Sequence, residues 1–168
     1  FGQSCEPCGA GTFMNESTKA CDTCAPGRVS KAGAASCTPC ELGTFQNGTD
    51  CVACPAGRHG DAAGLSNDIC SGDCPPGTPS YRYATACTDC DAGKHAASSG
   101  SEDCKACDPS HPTYETSLPG ATKCVCLPGK YKSSEGVCLP CSDGMDCSAA
   151  GSDVSTLKIQ DANWRSSN

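Results

Sequence analysis

The chain has 168 residues and a net charge of −7, and 19 of its residues are cysteine, about 11 %, a share that marks a disulfide scaffold. Leu, Ile, Val and Phe together number only 16, too few to fill a single hydrophobic core. There is no basic run to meet a nucleic-acid backbone or an anionic membrane surface, and no apolar stretch long enough for a membrane helix or a signal-peptide core.

Ordering a chain costs about 1.5 kcal/mol per residue, which so little apolar surface cannot offset. Disulfides contribute about 2–4 kcal/mol each, so here the cysteines replace the core. Thiols at this density stay oxidised outside the cell or in the secretory lumen, which predicts a secreted or cell-surface protein.

From the N-terminus the cysteines fall into close pairs: Cys5/Cys8, Cys21/Cys24, Cys37/Cys40, Cys51/Cys54, Cys70/Cys74, Cys87/Cys90, Cys104/Cys107, Cys124/Cys126 and Cys138/Cys141, with Cys147 alone. The gaps between pairs run 12, 12, 10, 15, 12, 13, 16 and 11 residues, a repeat that varies by insertion without losing phase. Three residues after the second cysteine of each pair stands a glycine: Gly11, Gly27, Gly43, Gly57, Gly77, Gly93, Gly129 and Gly144, with Ser110 the exception. Glycine at one fixed offset predicts a turn of positive φ right after the cysteine. Beyond it come Thr12-Phe13, Arg28-Val29, Thr44-Phe45, Arg58-His59, Thr78-Pro79, Lys94-His95 and Lys130-Tyr131, then a polar loop. Each unit therefore reads as tight turn, short strand, loop and short strand, a hairpin too small to stand without a cross-link. The expected fold is a small disulfide-rich, elongated tandem array of about nine β-hairpin modules over 1–147, little else being regular. The cysteine-free stretch 148–168 reads as a strand packed on the last repeat or the start of a following domain. The pattern is already running at Phe1, which fits a piece of a longer secreted protein.

Two pairing schemes fit this spacing. In a serial ladder the second cysteine of one pair joins the first of the next: Cys8 to Cys21, Cys24 to Cys37, Cys40 to Cys51, Cys54 to Cys70, Cys74 to Cys87, Cys90 to Cys104, Cys107 to Cys124 and Cys126 to Cys138. Cys141 to Cys147 then closes a small ring and Cys5 is left over. A crossed scheme joins successive pairs two by two and should make long and short gaps alternate; their absence favours the ladder.

These residues resemble a family. The unit Cys-x-x-Cys-x-x-Gly-(Thr/Lys/Arg)-(Phe/Tyr) is similar to the cysteine-rich ephrin-receptor-like repeats, which are related to EGF-like modules and loosely grouped with TNF-receptor-like ones. The stretch Cys104-Lys-Ala-Cys107-Asp-Pro-Ser-His through Cys124-Val-Cys126-Leu-Pro-Gly129-Lys-Tyr131 resembles the ephrin-receptor EGF-like segment, where a Pro-Ser-(Asn/His) step replaces the glycine turn. The tail Ile159-Gln-Asp-Ala-Asn-Trp164-Arg165 is similar to a Gly-Tyr-Trp-Arg stretch that follows such repeats in large protist and algal surface proteins, with Ala-Asn in place of Gly-Tyr. The resemblance implies a non-enzymatic spacer of a large extracellular protein, in the manner of a flagellar-hair filament; the alternative is the ligand-binding ectodomain of a receptor. Its partners would be further domains of the same chain, other proteins or copies of itself, with no nucleic acid.

Two acceptor sequons, Asn15-Glu16-Ser17 and Asn47-Gly48-Thr49, lie at one repeat offset and are expected to carry N-linked glycans. His59 and His95 occupy the slot of Phe13, Phe45 and Tyr131, and read as packing residues. Paired cysteine knuckles could instead bind zinc, but the glycine phase, the sequons and only three histidines speak against it. Neither a catalytic constellation nor a calcium or phosphate site is indicated, so no cofactor is expected. Tyr81-Arg82-Tyr83 is either a strand or an exposed aromatic contact point. Intact-mass measurement under denaturing, non-reducing conditions should find the chain about 18 hydrogens lighter than its reduced form. Free thiols throughout, or stoichiometric zinc, would contradict an oxidised ladder.

Overall fold

A computed structural model describes residues 6–107, 115–155 and 157–159. Cys5, Ser110, His111 and Trp164 lie outside them. Among the described residues there is no helix, and every strand belongs to a two-stranded antiparallel sheet. In chain order these are β1 (Thr12–Asn15) with β2 (Ala20–Thr23), β3 (Arg28–Val29) with β4 (Thr38–Pro39), β5 (Thr44–Asn47) with β6 (Asp50–Ala53), and β7 (Arg58–His59) with β8 (Gly72–Asp73). They are followed by β9 (Lys94–His95) with β10 (Lys105–Ala106), β11 (Glu115–Thr116) with β12 (Val125–Cys126), β13 (Lys130–Lys132) with β14 (Cys138–Pro140), and β15 (Met145–Asp146) with β16 (Lys158–Ile159).

Disulfides join Cys8–Cys21, Cys24–Cys37, Cys40–Cys51, Cys54–Cys70, Cys74–Cys87, Cys90–Cys104, Cys107–Cys124, Cys126–Cys138 and Cys141–Cys147. These nine loops are numbered below as units one to nine. Unit five, Cys74–Cys87, has no strand pair. Pro79 occupies its strand position and has no N–H to donate, so only its carbonyl is used, accepting from the Thr88 amide at 3.2 Å. The core is sulfur: Cys40, Cys54, Cys74 and Cys90 are 0 % exposed, Cys126 is 1 % exposed, and Phe45 is the one large apolar side chain buried with them among the described residues.

What joins one unit to the next is backbone. Five turn-glycine amides donate to the carbonyl three residues past the next unit's turn glycine: Gly11 to Ser30, Gly43 to Gly60, Gly57 to Ser80, Gly77 to Ala96 and Gly129 to Cys147, at 2.7–2.9 Å. Gly93 makes the equivalent bond to Ser117 at 3.1 Å. A second rung runs from that same position into the following loop, as from Gly60 to Ala84 and from Ala96 to Ala121. A third comes back from the loop to the first cysteine of the previous unit: Gly33 to Cys8, Gly64 to Cys40, Tyr83 to Cys54, Gly100 to Cys74, Gly120 to Cys90 and Gly151 to Cys126. Each turn-glycine carbonyl meanwhile accepts the amide of the cysteine that opens the next unit, as Gly57 does from Cys74 at 2.8 Å. The carbonyl-bearing slot is small and buried, held by Ser30, Gly60, Ser80, Ala96 and Ser117. Its three serines use their hydroxyls as well, donating back to Thr12, Arg58 and Lys94.

The three rungs are continuous from unit three to unit seven, and again between units one and two and between eight and nine. Unit three breaks the series. Its loop is the short turn Asn47–Asp50, so it offers no loop backbone to unit two, and the Gly27 amide is satisfied instead by the Gln46 side-chain oxygen at 2.7 Å. Units also touch beyond their neighbours. A Cβ on Gly27, Gly43, Gly57 or Gly77 would overlap the backbone carbonyl of Gly64, Tyr83, Gly100 or Gly120, each two units further on. The turn glycines close the stack across two units because without side chains the backbones can meet.

This separates two costs of replacing a turn glycine. Gly93 has φ +81° and open space around its Cβ direction, so Gly93→Ala carries only the left-handed penalty of about 1–2 kcal/mol. Gly77, at φ +86°, also faces the Gly120 carbonyl. Gly77→Ala should therefore cost more, and in hydrogen exchange should lower protection at Gly120, which Gly93→Ala should leave unchanged. Equal effects of the two variants would refute the close approach.

Candidate functional site

The side chains with chemistry to offer lie along the hairpin strands, two residues past the turn glycine. His59 is the last residue of β7 and His95 the last of β9. Both are half-buried, in keeping with the packing slot expected for them. Each ring faces the disulfide of the next unit: His59 Nδ1 is 3.5 Å from Cys87 Sγ, and His95 Nδ1 is 3.2 Å from Cys124 Sγ. The donor atoms of His59, Cys74 and Cys87 lie within 4.8 Å of one another, as do those of His95, Cys107 and Cys124. With both sulfurs of each set in a disulfide, neither set offers a thiolate to a metal ion. The knuckles considered for zinc do not converge either, because the two cysteines of a pair serve different disulfides: Cys37 joins Cys24, whereas Cys40 joins Cys51.

Around His59 the polar surroundings are dense. Its Nε2 is 4.0 Å from the Asp61 carboxylate, and the neighbouring Arg58 pairs with Asp73 at 2.9 Å and Asp68 at 3.5 Å. Beside His95, Lys94 reaches Asp91 at 3.7 Å. The disulfide of unit eight has a different companion, with Glu115 Oε1 3.4 Å from Cys138 Sγ.

Tyr81-Arg82-Tyr83 forms a turn, not the strand that was one of its two readings. Tyr81 is 71 % and Tyr83 64 % exposed, and they border an open cleft that Asp89, Asp91 and Asp103 also line. Tyr83 has φ +65° and donates its amide to the Cys54 carbonyl, the place that loop glycines fill in other units. That second glycine is a functional position the sequence reading missed. Measured from the opening cysteine its offset drifts, but Gly33, Tyr83, Gly100 and Gly120 each stand four residues before the closing cysteine.

The sequon asparagines end matching strands, β1 and β5. Asn47 is exposed at its turn. Asn15 is half-buried: its Nδ2 donates to Asp22 at 2.6 Å, while its Oδ1 accepts from the Ser17 amide at 3.0 Å.

Compared with known proteins, residues 27–70 match the family described as tyrosine-protein kinase ephrin type A/B receptor-like. No curated protein matches the chain. The matched stretch begins at the turn glycine of unit two and ends at the closing cysteine of unit four, so it takes in the strand pairs β3–β4, β5–β6 and the start of β7–β8. Together with the nine disulfides, the match identifies an ephrin-receptor-like, EGF-like cysteine-rich repeat of the extracellular type within this chain.

Proposed function

We propose that the chain is a non-enzymatic spacer: a stiff, glycosylated segment of a large extracellular or cell-surface protein that assembles with further domains or with copies of itself, as in a flagellar-hair filament. The observation that carries this is the repeated three-rung ladder from unit three to unit seven. Neighbouring units are fixed by backbone bonds that do not depend on side-chain identity, which lets loops diverge while the spacing holds. Contacts two units apart, from unit two to unit seven, resist bending at the joints they span. A protein built to hold two ends apart needs this, and needs no apolar pocket.

Glycans at Asn15 and Asn47 belong to the same reading. A bulky hydrated sugar at each hairpin tip would shield a chain with little apolar surface to bury. Asn47 offers an open amide, whereas the Asn15 nitrogen must first leave Asp22, so occupancy should be higher at Asn47.

The second reading, a ligand-binding ectodomain, draws on Tyr81 and Tyr83. Two exposed tyrosines held in place by a left-handed residue are the kind of rigid aromatic pair that interfaces concentrate.

Solution scattering from the oxidised segment tests the spacer. A compact chain of this length would have a radius of gyration of about 15 Å; the spacer should exceed that about twofold, and a value near 15 Å would refute it. Mass spectrometry of the secreted protein should find glycan at both asparagines, more completely at Asn47. Unmodified asparagine at both would remove the glycosylation claim.

A further inference from the structure

We propose that the Cys74–Cys87 and Cys107–Cys124 disulfides are histidine-assisted thiol-exchange sites, at which a small aliphatic thiol is taken up as a mixed disulfide on Cys87 and on Cys124. Three observations converge. Two histidines at equivalent strand positions, two units apart, each turn Nδ1 onto a disulfide sulfur of the following unit. In each case the contacted sulfur belongs to the half-buried cysteine, while its partner is sealed, Cys74 at 0 % and Cys107 at 6 % exposure. And in each case a ring nitrogen lies within 4.8 Å of both sulfurs.

The step balances without any outside oxidant. The entering thiol, RSH, gives its proton to the imidazole and attacks Cys87 Sγ as thiolate. The R–S–Sγ bond forms on Cys87 as the Cys74–Cys87 bond breaks. The bonding pair leaves with Cys74 Sγ, which takes the proton back from the imidazolium. One thiol is consumed, one is released on Cys74, and no net electrons are transferred. Asp61, 4.0 Å from Nε2, favours the tautomer that leaves Nδ1 free to accept the proton; His95 has no such carboxylate among the described contacts. The disulfide of unit eight makes the contrast, because the Glu115 carboxylate there would repel an arriving thiolate and both of its sulfurs are buried.

Exposure alone makes a different forecast. Cys21 and Cys51 are the most open of the disulfide cysteines and have no histidine beside them among the described residues, so simple access would direct thiols there first. The oxidised full chain is incubated with limiting reduced glutathione, quenched with acid, and its mixed disulfides are located by peptide mass spectrometry at successive times. Glutathione should appear first on Cys87 and Cys124. His59→Phe, which puts the residue of units one and three into the slot, should slow labelling of Cys87 by at least about tenfold, as expected for loss of a positioned general base. It should leave Cys124 at its original rate, and His95→Phe should do the reverse, so each variant carries its own folding control. Labelling that starts at Cys21 and Cys51, an unchanged rate at Cys87 in His59→Phe, or an equal change at both sites in one variant would overturn the proposal.

Discussion

The stacking in this architecture hangs on the glycine three residues past the cysteine that opens a unit, present in every unit but the seventh. At Gly27, Gly43, Gly57 and Gly77 the backbone must do four things at once. It turns with positive φ, donates its amide to the next unit, accepts from the cysteine that opens that unit, and lies against the backbone two units on. Any side chain spoils the first and, at Gly27, Gly43, Gly57 and Gly77, the last. The disulfides prevent the units from unravelling, but it is the glycine that determines how they stack.

A chain held this way differs from an ordinary repeat protein. Solenoids bury a continuous apolar core between repeats, whereas here the interior is disulfide sulfur with serine, alanine and glycine between. Small residues are required there because the carbonyl rungs run through that slot: at Gly60 an added Cβ would sit 2.9 Å from Cys54 Sγ. The ladder's interruption ahead of unit three, where Gln46 lends its side chain to Gly27, marks a joint with fewer bonds than those on either side. The Gly27 to Gly64 contact spans that joint, so the stack continues through it.

The fold class was legible in the sequence because the geometry ties cysteine, and in all but one unit the turn glycine, to fixed places in the repeat. The turn at Gly57 could be read from its fixed offset; the Gly100 carbonyl packed against it could not, because linear spacing says nothing about which units meet. The loop glycines went unseen because insertions accumulate on their N-terminal side, which blurs any count made forward from the opening cysteine. Pro79 shows the converse, where a β-prone pair of positions holds no strand because one residue lacks an amide proton. The histidines were rightly placed in the packing slot at Phe13 and Phe45, but that the slot faces a neighbour's disulfide is a property of the stack alone.

The backbone ladder is tested most directly by amide hydrogen exchange on the oxidised chain. The amides of Gly43, Gly57, Gly77 and Gly93 should be protected to a similar degree, and clearly more than Gly48 in its exposed hairpin turn. Gly27, whose partner is a side-chain oxygen, should exchange faster than those four. Turn glycines exchanging as fast as Gly48 would mean that the units are tethered by their disulfides alone, with no ladder between them.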